Sequence, residues 1–255
     1  MYIIETNDYK KELLQDAFPI GRGTTAICYL RSDGYIFKRF IDTYLTYEMF
    51  NKHDMKEKFE LINRIQNDSF IGPDILVMQD NKIVGYLYPY INANTFGSVS
   101  SSTTLFDLYK NIDKLVEDTI EISKHGFVLG DLHKKNVLFD GDYYVIDLDK
   151  GYKLDNIDYV TNLNLNLIYE TIFFHIFKIK PWQAIKFNNR RVNEFFYNTS
   201  WHNMEDIYET FETYAKIVNK PNPTVRDLRR IPHIKERNSY YKDIWQLGKN
   251  KYNNT

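Results

Sequence analysis

The first third of the chain alternates apolar and polar positions with a period of two, which predicts β-strands. Asp33-Gly34 and Asp80-Asn81 interrupt this alternation, and each dipeptide is typical of a tight hairpin turn. Two hairpins are therefore expected. Their strands are predicted at residues 26–30, 35–40, 75–78 and 83–87.

Between the two hairpins, and again in the later part of the chain, apolar residues recur at helical spacing. Phe59, Ile62 and Ile65 recur every three residues and predict a helix over residues 54–65. Residues 92–104 are rich in Ser, Thr and Asn and predict a loop or linker. Beyond it, helices are predicted near residues 112–120, 162–177, 204–218 and 240–247, and a short hairpin at residues 137–139 and 144–146.

These elements predict an α+β protein. A small, β-rich half with one main helix is expected first, and a larger helical half follows it after a hinge near Pro89.

Composition excludes several classes of protein. Lys and Arg total 33 against 34 Asp and Glu, and this near-zero net charge argues against broad nucleic-acid binding.

Cys28 is the only cysteine, so no disulfide can form within the chain, which fits a reducing compartment. The most apolar stretch, residues 163–177, contains Glu170 and His175 and is too short and polar to span a bilayer. With no secretory signal at the N-terminus, a cytoplasmic protein without a membrane partner is expected.

A GxGxxA segment, formed by Gly21, Gly23 and Ala26, precedes a predicted strand. Glycines let a backbone approach phosphates closely enough for its N–H groups to bind them, although an ordinary glycine-rich turn has the same composition. A strand rather than a helix follows, which excludes the dinucleotide-binding fingerprint, and the GK[ST] ending of a Walker loop is absent. Lys38 shares a strand face with Ile36, which indicates either a buried charged partner or a lysine on an edge strand.

The most specific pattern combines Asp131, Asn136 and Asp147. Asn136 lies five positions after Asp131, and Asp147 follows eleven positions later, at the end of the short hairpin. If these groups converge, they supply a base near an attacking hydroxyl and oxygen ligands for magnesium, as phosphoryl transfer requires. Any one of these residues alone is better explained as a turn former, since Asp and Asn favour turns.

Together, the GxGxxA segment, Lys38, the DxxxxN of Asp131 and Asn136, and the later Asp147 resemble the protein-kinase-like superfamily in order and approximate spacing. The resemblance covers about residues 18–149, and Gly130-Asp131-Leu132-His133 is similar to the GDLH loop of bacterial and small-molecule kinases. It implies a two-lobed fold, with an N-lobe over residues 1–90 and a C-lobe over residues 91–255, that uses ATP and Mg²⁺.

The resemblance also implies catalytic roles. Asp131 corresponds to the catalytic base, and His133 stands where protein kinases have a substrate-contacting lysine. Lys38 corresponds to the lysine that holds the α- and β-phosphates. Its ion-pair partner is expected on the first main helix, where Glu60 is preferred and Glu57 is the alternative.

The nucleotide and metal ligands are implied in the same way. Asn136 and Asp147 correspond to magnesium ligands. The residues implied for the phosphate-covering loop, the adenine pocket and the hinge are Gly21, Arg22, Gly23, Ala26, Cys28, Ile36, Lys38, Tyr88, Tyr90 and Leu138. Cys28 is interpreted as a small hydrophobic residue of this pocket rather than as a nucleophile.

The chain departs from the family pattern after Asp147. Leu148-Asp149 replaces the usual Phe-Gly, and Asp149 is interpreted either as support for a second metal or, preferably, as a cap for the turn. Only about fifteen residues separate Asp147 from the next predicted helix, and no Ala-Pro-Glu follows. These departures weigh against a peptide-docking segment of the usual length but leave ATP chemistry untouched.

The predicted activity is transfer of the γ-phosphate of Mg-ATP to a hydroxyl, with a protein serine or threonine as the first choice. A small-molecule hydroxyl, as in antibiotic or sugar kinases, is the alternative. A pseudokinase acting as a binding module is less favoured. All four residues of the kinase pattern are present, namely Lys38, Asp131, Asn136 and Asp147. A basic run over residues 226–230, with His233, Lys235 and Arg237, predicts a solvated helix face or, less favourably, a partner-binding patch.

Overall fold

The computed structural model describes residues 2–41, 52–177 and 219–228. Its largest element is a six-stranded sheet built before residue 90. The strands are β1 (Tyr2–Glu5), β2 (Phe18–Arg22), β3 (Ala26–Leu30), β4 (Tyr35–Phe40), β5 (Ile75–Gln79) and β6 (Lys82–Pro89). Their spatial order is β1-β5-β6-β4-β3-β2, in which β1 pairs parallel with β5 and every other pair is antiparallel. Two helices, α1 (Tyr9–Leu13) and α2 (Lys52–Ile65), belong to the same part of the chain.

The predicted hairpins are confirmed, and their turns have the geometry that their residues favour. Asp80 and Asn81 have φ values of 52° and 57°, the two left-handed positions of a type I′ turn. Gly34 has a φ of 82°, which a residue with a side chain rarely adopts. Residues before Phe18 were not predicted to be structured. Strand β1 lacks a local turn signal because its partner, β5, lies about 70 positions away in the sequence.

The two faces of this sheet are buried by different helices. Phe37, Val77 and Leu87 form one apolar cluster with Leu13 of α1. The opposite face of β4 packs against α2, where Phe40 and Phe59 stack with their ring centroids 6.3 Å apart. Lys38 lies between Ile36 and Phe40 in the alternation, so it points to the α2 face. The predicted apolar positions of α2 are therefore confirmed, and they determine which way this helix faces.

The remainder of the described chain is mainly helical. It contains β7 (Asn94–Thr95), a 3₁₀ turn (Phe96–Ser98), α3 (Leu105–Tyr109), α4 (Ile112–Ser123), β8 (Phe127–Val128), β9 (Val137–Phe139), β10 (Tyr143–Val145), a 3₁₀ turn (Leu148–Lys150), β11 (Tyr152–Lys153), α5 (Ile157–Phe177) and α6 (Val225–Leu228). β7, β9 and β10 form one small sheet, and β8 and β11 form another. The predicted α+β class is confirmed. The helices predicted near residues 204–218 and 240–247 lie outside the described residues.

Local capping explains where two of these helices begin. Thr104 and Asp107 form a reciprocal capping box at the start of α3. Helix α5 starts at Ile157, earlier than predicted, because the Asn156 side chain accepts a hydrogen bond from the Tyr159 backbone N–H at 3.0 Å. The segment between Asp147 and α5 is consequently shorter than the fifteen residues expected. In the described part of the chain, no helix combines the length and apolarity needed to cross a membrane.

Candidate active site

Lys38 is buried at the centre of the site, with 4% of its surface exposed. Its Nζ donates to Asp149 Oδ1 at 2.7 Å and to Asp147 Oδ1 at 3.0 Å. A lysine is costly to bury unless it is paired, and these two carboxylates supply the opposite charge. Strand β4 is also central in the sheet, so the alternative of a surface lysine on an edge strand is excluded.

The structure does not bring Glu60 to Lys38, which corrects the predicted ion pair. Both Glu60 and the alternative, Glu57, are exposed. Phe59 and Ile62 are buried against the sheet and fix the rotation of α2. This rotation brings Lys58, rather than a glutamate, to the site, where its Nζ donates to the backbone carbonyl oxygen of Asp149 at 3.0 Å.

Asp149 does not cap the turn, which corrects the preferred interpretation of this residue. Its carboxylate is buried, and its Oδ1 accepts hydrogen bonds from Lys38 and, at 3.2 Å, from the Tyr86 hydroxyl. Burial opposes ionisation of Asp149 most strongly, but the charge and hydrogen bond of Lys38, with the Lys150 charge and the Tyr86 hydrogen bond, together hold the pKa of this carboxyl below its usual value. Burial also opposes the charge on Lys38, yet the two carboxylates raise the pKa of this amine.

Asp147 occupies the left-handed backbone region, with φ of 65° and ψ of 42°. This conformation is uncommon for a residue with a side chain, although aspartate tolerates it better than most. It turns the chain sharply between β10 and the 3₁₀ turn at Leu148–Lys150, and the carboxylates on both sides of Leu148 reach the same lysine.

Hydrogen bonds connect the predicted catalytic loop to Asp147. Asn136 Nδ2 donates to the Asp131 carbonyl oxygen at 2.9 Å. The backbone N–H of Ile146, the neighbour of Asp147, donates to the carbonyl oxygen of Asn136 at 2.9 Å. Since Asp147 also contacts Lys38, these hydrogen bonds and the peptide link from Ile146 to Asp147 connect Lys38 with Asn136 and with the backbone of Asp131.

Asp131 is half exposed, so an incoming molecule can reach its carboxylate. His133 Nε2 lies 3.9 Å from Asp131 Oδ1. Its other ring nitrogen, Nδ1, accepts a hydrogen bond from the Lys135 backbone N–H at 3.3 Å. In the neutral imidazole the proton therefore belongs on Nε2, the nitrogen that faces Asp131.

The oxygen atoms of Asn136 and Asp147 are suitable ligands for a hard divalent cation. The Asn136 amide nitrogen is engaged with the Asp131 carbonyl, which leaves the amide oxygen as the ligand atom. Asp147 keeps 30% of its side chain exposed and offers a carboxylate. Within the described ranges no group of three or more His, Cys, Asp or Glu side chains forms a metal cluster. One carboxylate and one amide could hold Mg²⁺, which commonly takes its other ligands from phosphates and water.

Three of the residues predicted for an adenine pocket, Cys28, Ile36 and Tyr88, lie on the same sheet as Lys38, and Leu138 lies on β9 of the small sheet. Cys28 pairs with Lys38 across the β3–β4 ladder, and Ile36 pairs with Tyr88 across β4–β6. Burial, aided by the negative charge of Asp147, raises the pKa of the Cys28 thiol to about 11, so it is a neutral hydrophobic group at pH 7. Burial likewise raises the pKa of Tyr88, and Leu138 is also buried.

The glycine-rich segment and the hinge are more open. Gly21, Arg22 and Gly23 are exposed where β2 turns into β3, and Gly23 N–H donates to the Ala26 carbonyl at 2.9 Å. Tyr90 is also exposed, just after β6 ends at Pro89. Their roles in nucleotide binding remain predictions.

Gly130 is required by a close backbone approach. A Cβ atom at this position would lie 1.9 Å from the Lys150 carbonyl oxygen, well inside any van der Waals contact. The residue before Asp131 therefore has no room for a side chain, because the turn after Asp147 passes directly over it.

Asn164 of α5 is a buried residue of the site region that sequence reasoning missed. Its Oδ1 accepts from the Leu129 backbone N–H at 2.9 Å. Its Nδ2 donates to the Phe127 carbonyl oxygen at 2.7 Å and to Ser123 Oγ at 3.0 Å. Asn164 thereby anchors the segment that leads into Gly130 and Asp131. Asn164 stands in an i, i+4 series whose other members, Val160, Ile168 and Ile172, are apolar, and this was the sequence signal for it.

Replacing Asn164 with leucine is expected to lower the free energy of unfolding by about 3 kcal/mol, because buried backbone groups of Leu129 and Phe127 lose their partner. Urea denaturation followed by circular dichroism measures this. Thr161→Ala, which removes an exposed hydroxyl from the same helix, is the control and should change the free energy by less than about 0.5 kcal/mol. Equal stabilities of the two variants would show that Asn164 is not an anchor.

Comparison with known proteins supports the fold but goes no further. No protein-family model matches the chain, and no curated protein matches it in sequence. Among solved structures, the twitchin kinase region from C. elegans is similar, with a TM-score of 0.58 and 10% sequence identity. The alignment covers 96% of this chain and 53% of the twitchin chain, so this chain spans about half the length of that one. A likeness at this identity shows the fold alone, and we conclude that this chain has a protein-kinase-like α+β fold.

Proposed function

We propose that this protein is a phosphotransferase that moves the γ-phosphate of Mg-ATP to a hydroxyl group. The observation that carries the proposal is the network joining Lys38, Asp147, Asn136 and Asp131 within a protein-kinase-like fold. A charged amine for phosphates, oxygen ligands for a cation and an accessible carboxylate are the groups that phosphoryl transfer needs in one place.

The proposed layout is two-lobed, with the sheet half at residues 1–90 and the helical half at residues 91–255. ATP lies between them, with its adenine against Cys28, Ile36 and Leu138. The Gly21–Gly23 turn covers its phosphates. Lys38 binds the α- and β-phosphates, and Asn136 and Asp147 hold Mg²⁺, which neutralises developing charge on the phosphates.

In the proposed reaction, the acceptor hydroxyl lies against Asp131. Its oxygen forms a bond to the γ-phosphorus while the bond from that phosphorus to the β,γ-bridging oxygen breaks. The proton of the hydroxyl passes to the Asp131 carboxylate, and ADP leaves. Asp131 suits this role because it is half exposed and its backbone carbonyl is held by Asn136. His133, which faces the same carboxylate through Nε2, is placed to contact the acceptor.

The first-choice acceptor is a serine or threonine of a protein, and a small-molecule hydroxyl is the alternative. The short segment between Asp147 and α5 favours the alternative, because it leaves little chain for docking a peptide. The exposed position of Asp131 favours an open acceptor site and therefore a protein. A pseudokinase is disfavoured, since the chain has all four residues of the kinase pattern: Lys38, Asp131, Asn136 and Asp147.

Incubation with γ-³²P-ATP and Mg²⁺, alone and with cell lysate, tests the proposal and separates these acceptors. Label on protein bands indicates a protein kinase, and label on a small molecule separated by chromatography indicates a small-molecule kinase. Absence of transferred label and of ADP formation, from protein shown to be folded, would leave only the binding-module interpretation.

The protein is expected to be active as synthesised, without phosphorylation of the segment after Asp147. In many protein kinases an arginine before the catalytic aspartate binds a phosphate on that segment. Here the position is Gly130, where the Lys150 carbonyl leaves no space for a side chain. The Thr161 hydroxyl, moreover, already donates to the Ile157 carbonyl at 2.9 Å. Phosphorylation of Thr161 or Tyr159 should not be required.

Phosphatase treatment, with dephosphorylation verified by mass spectrometry, checks this expectation. Unchanged turnover supports it. A large loss of turnover that autophosphorylation restores would contradict it, and would indicate that another basic residue, such as Lys150 or Lys153, replaces the missing arginine.

A further inference from the structure

The two carboxylates on Lys38 are not equivalent. Asp147 keeps 30% of its side chain exposed, whereas only 1% of the Asp149 side chain is exposed. Asp147 can therefore turn toward solvent or toward a bound cation. Asp149 cannot do so without breaking the packing around it, so Asp147 is the partner that has room to move.

Asp149 is fixed by contacts from three different elements. Lys38 of β4 and Tyr86 of β6 both donate to its Oδ1, at 2.7 and 3.2 Å. Lys58 of α2 donates to its backbone carbonyl oxygen at 3.0 Å. Lys38 and Tyr86 are also direct neighbours across the β4–β6 ladder, so the sheet presents both donors to one oxygen atom.

Among the described side chains of helix α2, Lys58 brings a positive charge to this arrangement, and neither glutamate reaches it. Glu57 and Glu60 are exposed, while Lys58 reaches the turn at Leu148–Lys150. If Asp147 left Lys38 to hold a cation, Asp149 would still pair with the buried amine of Lys38. Without it, Lys38 would be a buried charge with no carboxylate partner among the described residues, and breaking a buried pair in this way is strongly destabilising.

We propose that Asp149 is the positioning residue that keeps Lys38 aimed at the nucleotide phosphates, the task that the sequence pattern assigns to a glutamate of the helix. The inference rests on the phosphotransferase function proposed above. It divides two tasks between neighbouring carboxylates: Asp149 holds the lysine permanently, and Asp147 is released to bind the cation. Because Asp149 lies in the same turn as Asp147, the lysine is positioned without any movement of α2.

Titration of purified variants with Mg-ATP and, separately, with adenosine tests this assignment by ligand-observed NMR. Asp149→Asn keeps the size of the side chain and removes its charge. It is expected to weaken Mg-ATP binding about tenfold, in keeping with loss of a charged hydrogen bond, and to leave adenosine binding within about twofold. A general structural defect would weaken both ligands, so this difference identifies a role at the phosphates.

Two further variants complete the design. The Glu57→Gln/Glu60→Gln double variant is expected to bind both ligands as the unaltered protein does, and Asp155→Asn, at an exposed aspartate after the turn, is the matched control. Tyr86→Phe removes only one donor to Asp149 and should weaken Mg-ATP binding about threefold. It keeps the inference testable if Asp149→Asn does not fold.

The outcomes separate this inference from the proposed function. Normal Mg-ATP affinity in Asp149→Asn, or in Tyr86→Phe where the former does not fold, would overturn the role of Asp149. A loss in the glutamate double variant would return that role to α2. If the unaltered protein bound no Mg-ATP, the phosphotransferase proposal itself would fail.

Discussion

Replacing Asp131 with asparagine is expected to reduce phosphate transfer about 10³-fold while leaving Mg-ATP binding nearly unchanged. Asparagine has the same shape but cannot accept the proton of the acceptor hydroxyl, and general base catalysis contributes about 10²- to 10⁴-fold. The Asp131 carbonyl would still accept the Asn136 hydrogen bond, so the loop should keep its conformation. Steady-state measurement of kcat with γ-³²P-ATP and the acceptor identified from the lysate provides the value.

Asp155→Asn is the matched control for this variant, because it makes the same chemical change at an exposed aspartate. It should keep the turnover of the unaltered protein. Turnover of Asp131→Asn within about tenfold of that level would mean that another group takes the proton, and His133 would then be the first residue to test.

Replacing Asp147 with alanine is expected to abolish magnesium-dependent turnover, with a loss of about 10³-fold, and to leave the fold intact. Asp147 is one of two proposed cation ligands. The fold should survive because Asp149, rather than Asp147, is the buried partner of Lys38. Turnover across a range of Mg²⁺ concentrations and thermal unfolding by circular dichroism measure the two effects separately.

Two results would contradict this expectation in different ways. Near-normal turnover of folded Asp147→Ala would show that the cation site is elsewhere. Loss of the folded state would show that Asp147 is needed to keep Lys38 paired, and the division of tasks between Asp147 and Asp149 would be wrong.

Local pattern predicted most of the sheet and selected the residues of the candidate site. Alternation located the hairpins, and Asp80-Asn81 has the left-handed turn that its residues favour. Asp131, Asn136 and Asp147 were singled out by their spacing around a short hairpin, and their proposed roles came from the family resemblance. These features depend on residues that are close in the sequence.

The features that sequence reasoning missed depend on contacts between distant residues. Asp149 and Lys38 are 111 positions apart, so nothing near Asp149 distinguished a cap from a buried ion pair. Glu60 was preferred because it lies on the right helix, but the packing of Phe59 determines which side of that helix faces the site. Asn164 was missed for a similar reason, since its partners lie 35 to 41 positions earlier.

A crystal structure with Mg²⁺ and a non-hydrolysable ATP analogue tests the central claim most directly. We expect the α- and β-phosphates on Lys38, the cation held by Asn136 and Asp147, and the γ-phosphate facing Asp131. Asp149 should still hold the lysine. A nucleotide bound away from Lys38, or a cation held without Asn136 and Asp147, would contradict the account.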